Sequence, residues 1–349
     1  MYIPVMKNRT VEVSVLQQLS LMHVFDENVL PLVELIQEKT RSNNKNTFVQ
    51  DLCKILDEAP DMRVMVDFYK STKLRSTTDS IREYVTLSLR QPDFCLRELE
   101  PLHFFSNRVI PVISYLPENI SYERIKYEAT ALRETFPNVA FRLKAQEFEQ
   151  VFSFVETIIQ PKDFLILDIE SASHMSPVFK KVYKRIADSK KKLMFSSVVV
   201  NAHRPEGLTN KEMLHGEPIA DIDNSLKELY STNLMNKFDG FGDYACISAA
   251  LPSTGGAISP VGIYYSNENN YFVSYRGRAP QLSEFPLFIA PSIISSEYWA
   301  EFSDEHHELC PGCQEILAIV NGEKSGRNQA QWKMITMLHY IYTLFYENA

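Results

Sequence analysis

Two carboxylates, Asp168 and Glu170, stand at the end of an apolar run that begins at Phe164. Consecutive apolar residues indicate a strand that is buried on both faces, as in a parallel sheet covered by helices. Carboxylates at the carboxyl end of such a strand can take a proton from a bound molecule or return one to it. We therefore take Asp168 and Glu170 as the candidate catalytic residues, with one of them as general base.

Other charged or polar side chains also lie at or near the ends of apolar runs. The candidate ligand-binding residues are Lys7, Glu34, Asp67, Arg142, Lys144, Arg204, Asp243, Tyr244 and Arg276. Both signs of charge are present, and Lys7, Arg142 and Arg204 could grip a phosphate or carboxylate group. The pattern predicts a pocket for an anionic small molecule. The alternatives are a network of inward-facing ion pairs and ordinary solvated strand ends.

The same carboxylates leave two further kinds of chemistry open. Glu34, Asp67, Asp168 and Asp243 could hold a divalent cation, because hard cations prefer carboxylate oxygens. The interspersed lysines and arginines would partly neutralise that site. Paired carboxylates are also the residues that cleave glycosidic bonds, but the sequence cannot give their separation.

A separate cluster near the carboxyl end has the spacing of a zinc ligand set. His306, His307, Cys310 and Cys313 lie within eight positions, and Cys-x-x-Cys has knuckle spacing. The candidate metal ligands are His306, Cys310 and Cys313, with zinc as the ion. The alternatives are a redox pair and a turn with two unpaired thiols. We interpret His103 and His339 as packed side chains.

Eight strand-like runs, mostly separated by helix-like segments, must position these residues. The runs are Tyr2–Met6, Val29–Leu35, Arg63–Phe68, Arg108–Tyr115, Val139–Leu143, Phe164–Ile169, Leu193–Val200 and Phe241–Ile247. This alternation predicts a (β/α)8 TIM-like barrel, in which the strand ends converge on one mouth. The alternative is a doubly wound α/β sheet. The first strand lacks the Gly-rich phosphate loop that such a sheet often carries.

The chain after the eighth run departs from the repeat. Val261–Ser266 and Tyr271–Arg276 flank Asn267-Glu-Asn-Asn270, which predicts a β-hairpin. Gln329–Glu347 is a long helix that we expect to close the barrel. We therefore predict one barrel domain over residues 1–349, with residues 257–320 as an insertion before the last helix.

Composition narrows the functional class. The net charge is −8 and the pI about 5.6, which argues against an extended nucleic-acid-binding surface. Five irregularly spaced cysteines suggest a reducing compartment. The amino-terminal residues do not resemble a signal peptide, and no apolar run approaches the roughly 18 residues of a membrane span. We expect a cytoplasmic protein with no membrane partner.

Several short motifs together resemble the phage-type beta protein family. They are Tyr2-Ile-Pro-Val with Lys7 and Glu12, Pro31-Leu-Val-Glu34, Asp67, Gly240-Phe-Gly-Asp-Tyr244, and Cys310-x-x-Cys313 with Trp332. The resemblance spans nearly the whole chain. It implies that Lys7, Glu34, Asp67, Asp168 and Asp243 belong to one site, and it implies a phage or antiviral defence setting. It carries over no activity.

Two functional hypotheses follow. In the first, the barrel mouth binds, and also turns over, a phosphorylated or nucleotide-like small molecule. In the second, the chain is a non-enzymatic protein-interaction module in phage defence or counter-defence, with the segment Ala257–Cys313 as its partner surface. The cofactor stays open between zinc, another divalent cation and none.

Overall fold

The computed structural model describes residues 1–202, 204–205, 207–219, 227, 238–251 and 258–346. His203, which follows the seventh predicted strand, lies outside this part. The helix expected near the end of residues 205–230 also falls largely on residues outside it.

Eight parallel strands form a closed barrel, which confirms the predicted TIM-like (β/α)8 fold and excludes the doubly wound sheet. In order around the barrel they are β1 Tyr2–Lys7, β2 Leu32–Leu35, β3 Val64–Phe68, β4 Val109–Ile113, β5 Ala140–Lys144, β6 Phe164–Asp168, β7 Ser196–Asn201 and β9 Gly240–Asp243. Nearly every residue of these strands is buried, as expected for strands with side chains inside the barrel and under the helices.

Helices connect the first seven strands. They are α1 Thr10–Leu21, α2 Phe48–Glu58, α3 Asp79–Arg90, α4 Pro92–Leu99, α5 Tyr122–Leu132, α6 Phe148–Val155 and α7 Pro177–Leu193. The Thr47 hydroxyl and the Gln50 side chain form a capping box that begins α2. Each connection returns the chain to the amino end of the next strand, so the charged strand ends share one end of the barrel.

Two predicted strand limits were wrong for reasons of backbone geometry. The seventh strand begins at Ser196 rather than Leu193, because α7 continues to Leu193 and ends on Met194 at φ 58°. The eighth barrel strand ends at Asp243 rather than Ile247. Ala245 and Cys246 have φ values of 46° and 62°, a left-handed conformation that a strand cannot contain.

The barrel closes where β9 meets β1, and two glycines allow this contact. A Cβ atom at Gly240 would lie 2.4 Å from the Met1 carbonyl oxygen, and one at Gly242 would lie 2.6 Å from the Ile3 carbonyl oxygen. The neighbouring atoms are backbone and cannot rotate away. The sequence Gly-Phe-Gly-Asp is therefore suited to a strand that another backbone approaches closely.

The chain divides into two compact units. The first, the barrel unit, comprises Met1–Asn201, Leu226–Asp243 and Leu251–Thr254. The second comprises Ala202–Ser225, Tyr244–Ala250 and Gly255–Ala349. The second unit thus contains the predicted insertion and also the last helix, which we had expected to close the barrel.

The second unit is built on a three-stranded antiparallel sheet. The predicted hairpin is present as β10 Val261–Ser266 and β11 Tyr271–Arg276, and β8 Glu217–Pro218 pairs with β11. The helices are α8 Ala290–Ile294, α9 Glu297–Ala300, α10 Asp304–Leu309, α11 Pro311–Val320 and α12 Gln329–Tyr346. Helix α12 packs on β10, where the Thr336 hydroxyl donates a 2.8 Å hydrogen bond to the Ile263 carbonyl.

Among the described residues, no helix combines the length and the apolar character needed to cross a membrane.

Candidate functional site

Strand register places the charged residues at one level of the barrel. Lys7 on β1 is paired with Glu34 on β2, and Glu34 is paired with Asp67 on β3. Lys144 on β5 is paired in the same way with Asp168 on β6. All five lie at or near the carboxyl end of their strands, which is the end where TIM-barrel proteins bind ligands.

Arg142, on β5, lies at the centre of this group. Its Nη1 donates to Glu34 Oε1 at 2.8 Å and to Asp67 Oδ2 at 3.0 Å. Its Nε and Nη2 both donate to Asp168 Oδ2, at 2.9 and 2.7 Å. The side chain therefore reaches strands β2, β3 and β6, and its exposed fraction is only 4%. The guanidinium is held by three buried carboxylates.

Lys7 and Lys144 extend the network on two sides. Lys7 Nζ lies 3.3 Å from Glu34 Oε2 and above the ring of Tyr69. Lys144 Nζ lies 2.7 Å from Asp168 Oδ2 and 3.1 Å from Glu170 Oε1. The exposed fraction is 2% for the Lys7 side chain and 24% for that of Lys144. Lys144 is thus the more accessible of the two lysines.

Glu170 differs from the other acids of the network. Its side chain is 63% exposed, and its backbone has φ 53°, a left-handed conformation uncommon for a residue other than glycine. The Glu170 amide donates to Asp168 Oδ1 at 3.0 Å. The chain therefore turns sharply after β6, and the turn leaves the Glu170 carboxylate at the surface.

The network separates the proton affinities of its carboxyl groups. Burial by itself would raise the pKa of Asp168, but Lys144 and Arg142 outweigh it and hold this pKa well below the usual range. Glu34 has a lowered pKa because Lys7 and Arg142 similarly outweigh its burial. For Asp67 burial dominates, and the pKa is raised despite contacts with Arg142 and Ser114. Asp67 is therefore the carboxyl group of the network with the raised pKa.

Asp243 and Asn201 are buried polar residues at the ends of two other strands. Asp243 accepts a 2.9 Å hydrogen bond from the Tyr2 hydroxyl. Asn201 is paired with Asp243 in register and donates through Nδ2 to the Ala172 carbonyl. Its Oδ1 is buried without a hydrogen-bond partner among the described residues. A buried acceptor in this state calls for a water molecule or a ligand donor. Asn201 was not among the predicted site residues.

Three predicted ligand-binding residues belong to the second unit instead. Arg204 Nη2 donates to the Leu208 carbonyl at 2.8 Å, and Arg276 Nη1 donates to the Lys211 carbonyl at 2.8 Å. Tyr244 is buried. The contacts of Arg204 and Arg276 are with backbone carbonyls inside their own unit, and the barrel network described above contains none of the three.

The second unit brings four potential metal ligands together. The ligand atoms of His306, Cys310, Cys313 and His339 all lie within 4.8 Å of one another, and all four residues are buried. His339 Nδ1 lies 3.5 Å from Cys310 Sγ and 3.6 Å from Cys313 Sγ. All five cysteines of the chain lie in described residues and are free thiols.

The membership of this cluster differs from the sequence prediction. His339 on α12, which we had interpreted as merely packed, is the fourth member. His307 is not a member, because its Nε2 faces the Trp299 carbonyl at 3.2 Å and its ring stacks on Trp299. A histidine on the apolar face of α12, in a chain that already shows two cysteines and a histidine, was the signal that could have revealed it.

The comparisons with known proteins give the family. A search of curated proteins returns no match. A fungal β-1,4-galactanase structure aligns with 11% identity and a TM-score of 0.43, over 70% of this chain and 89% of the other, and we draw nothing from that likeness. The family model described as Beta protein matches residues 2–345. This chain, whose buried charges meet at the carboxyl end of an eight-stranded barrel, therefore belongs to the Beta protein family.

Proposed function

We propose that the carboxyl end of the barrel strands binds a small molecule through a single phosphate or carboxylate group. The observation that carries the proposal is the position of Lys144, held between the buried Asp168 and the exposed Glu170. An incoming anionic group would replace Glu170 as the second partner of Lys144. Exposed ion pairs contribute only about 0–1 kcal/mol, so this exchange is inexpensive.

Arg142 has a supporting role in this proposal. Its guanidinium already donates to Glu34, Asp67 and Asp168, all of them buried. A ligand could reach it only by leaving a carboxylate buried without its partner, which is strongly unfavourable. Arg142 therefore fixes Asp168, and Asp168 in turn holds the Lys144 ammonium in place.

The charge balance limits what the ligand can be. Four carboxylates of the described network, Glu34, Asp67, Asp168 and Glu170, face three cations, Lys7, Arg142 and Lys144. Such a balance favours a ligand with one anionic group over a polyanion, because each added negative charge is repelled by the carboxylates. The unpaired Asn201 Oδ1 supplies an acceptor for a hydroxyl or amine elsewhere on the ligand.

Turnover of the ligand remains a prediction, and the carboxylates differ in what they would do. Asp168, with a strongly lowered pKa, is a weak base, so it is better suited to orienting Lys144 than to taking a proton. Glu170 is the exposed carboxylate next to it and is the candidate general base. The phage or defence setting, the cytoplasmic location and the alternative role as a protein-interaction module also stay predictions.

Thermal unfolding in the presence of small ligands tests the proposal. Inorganic phosphate, nucleoside monophosphates and sugar monophosphates are compared with their uncharged counterparts and with Mg²⁺ alone. We expect at least one monoanionic ligand class to raise the Tm of the wild type by several degrees at saturating concentration. The Lys144→Gln variant should lose this rise.

A matched control separates binding from a general effect of charge. Lys190 is as exposed as Lys144, at 25% against 24%, and its Nζ lies 2.5 Å from the Asp239 carboxylate near the amino end of β9. Lys190→Gln should keep the full ligand-induced rise. The proposal fails if Lys144→Gln and Lys190→Gln respond alike or if no anionic ligand stabilises the wild type. A response to Mg²⁺ alone would favour the carboxylate metal site instead.

A further inference from the structure

The cluster of histidines and cysteines in the second unit has the geometry of a closed tetrahedral site. Zinc lies about 2.3 Å from cysteine sulfur and about 2.0–2.1 Å from histidine nitrogen, so tetrahedral neighbours are separated by about 3.6 Å. The two distances from His339 Nδ1 to the sulfurs of Cys310 and Cys313 are 3.5 and 3.6 Å. They match the edges of such a tetrahedron.

The hydrogen bonding of both histidines suits metal ligation. His339 Nε2 lies 3.1 Å from the Tyr265 carbonyl, and a proton on this nitrogen leaves the lone pair of Nδ1 directed at the sulfurs. Metal-bound histidines usually have this type of support from a carbonyl or carboxylate. His306 Nε2 is buried without a hydrogen-bond partner among the described residues, and the His306 side chain is 3% exposed.

The backbone around the cysteines is adapted to bring them onto α12. Cys310 precedes α11, Pro311 is its first residue, and Cys313 lies in its first turn. A Cβ atom at Gly312 would lie 2.6 Å from the His339 amide nitrogen and 2.8 Å from the Ile335 carbonyl oxygen. Glycine between the two cysteines is therefore what allows α11 to approach α12 at His339.

A metal-free reading explains these contacts less well. If Nε2 of neutral His339 donates to Tyr265, Nδ1 has a single lone pair, yet two sulfurs lie within 3.6 Å of it. One thiol can donate to that nitrogen, and the second is left without an equivalent acceptor there. A cation bound to all four side chains resolves this crowding.

We propose that the second unit holds a structural zinc ion bound by His306, Cys310, Cys313 and His339. All four positions of the tetrahedron are filled by buried protein side chains, which is typical of structural rather than catalytic zinc. The ion joins α10, α11 and α12, whereas the ligand site proposed above lies in the barrel unit.

Elemental analysis of the purified, desalted full chain tests the proposal. The wild type should contain about one zinc ion per molecule. Cys313→Ser and His339→Ala should each lose most of it. His307→Ala and Cys95→Ser should keep it, because His307 adjoins the cluster without joining it and Cys95 lies in the barrel unit.

A measurement on the wild type alone covers the case in which the variants fail to fold. X-ray absorption at the zinc edge should show a shell of sulfur at about 2.3 Å and nitrogen at about 2.0–2.1 Å. Zinc-free protein from zinc-supplemented cells would overturn the proposal, as would a Cys310–Cys313 disulfide in the freshly purified chain. A shell without sulfur, or stoichiometric zinc in folded His339→Ala, would also overturn it.

Discussion

The guanidinium of Arg142 contacts carboxylates on three other strands, and all four side chains are almost completely buried. Burying this many charges is unfavourable unless every one of them is paired. The pairs are consequently poor evidence for stability, but each member becomes hard to remove. Residues of this kind are often retained because a binding site requires them, so they point to a site at this end of the barrel.

Replacing Arg142 with Met should destabilise the protein by about 3–5 kcal/mol, because three carboxylates would lose their shared cation inside the barrel. Urea unfolding monitored by circular dichroism measures the change. Arg185 on α7 is the control, since its ion pairs with Glu149 and Glu156 lie on the surface of the barrel unit. Arg185→Met should cost about 0–1 kcal/mol. Equal losses in the two variants would contradict this account of Arg142.

The lowered pKa of Asp168 predicts a specific pH dependence. Its folded-state pKa lies below the unfolded value of about 4, so its stabilising effect is present above that pH and lost as the pH falls toward the folded pKa. The free-energy difference between wild type and Asp168→Asn should therefore be large at pH 7 and shrink below about pH 4. Urea unfolding from pH 3 upward, with the exposed Glu308→Gln as control, measures it. A difference that stays constant with pH would contradict the assignment.

At the scale of elements, the strands bring the charged residues together and the glycines allow the barrel to close. Register aligns Lys7, Glu34 and Asp67 on adjacent strands, so their side chains meet at one level of the barrel. Strand β9 completes the ring through Gly240 and Gly242, where the backbone of β1 approaches too closely for a side chain. The closure of the barrel and the arrangement of the network thus depend on the same strands.

Gly242→Ala should destabilise the protein by about 1–3 kcal/mol or more, because the added methyl group meets the backbone of Ile3 and the side chain of Val200. Chemical unfolding gives the magnitude. Gly322→Ala is a useful comparison: no atom lies within 4 Å of the added Cβ, and the cost of about 1 kcal/mol comes from its φ of 77° alone. A smaller effect at Gly242 than at Gly322 would argue against close packing at the closure.

At the scale of the whole molecule, the two compact units have separate candidate centres. The barrel unit contains the ion network, and the second unit contains the histidine and cysteine cluster. The barrel unit has a large apolar core of its own. We therefore expect the two units to respond differently when metal is removed.

Treatment with a strong zinc chelator should loosen the second unit selectively. Hydrogen exchange followed by mass spectrometry should show loss of protection in the hairpin and in α10 to α12, since their shared ligand is gone. Barrel strands β1 to β7 should keep their protection, and added zinc should restore the rest. Unchanged exchange in the second unit, or equal loss in both units, would contradict the expected role of the metal.

The sequence by itself determined the local pattern and much of the fold. Apolar runs separated by amphipathic segments predicted eight barrel strands and their helices, because strand and helix periodicities are set by neighbouring residues. Alternation along β5 and register between strands also indicated that charged side chains would meet at one end. For the same reason, the hairpin after β9 was recognisable from its two runs and its polar turn.

Only the tertiary structure decided which of these side chains are partners. Arg142 meets Glu34 across a separation of 108 residues, and His339 meets Cys313 across 26, and no local pattern encodes such contacts. The assignment of α12 to the second unit likewise follows from packing on β10, whereas its apolar face would suit either unit. Closure of the barrel and the approach of α11 to α12 select one set of long-range contacts from many that the same local patterns allow.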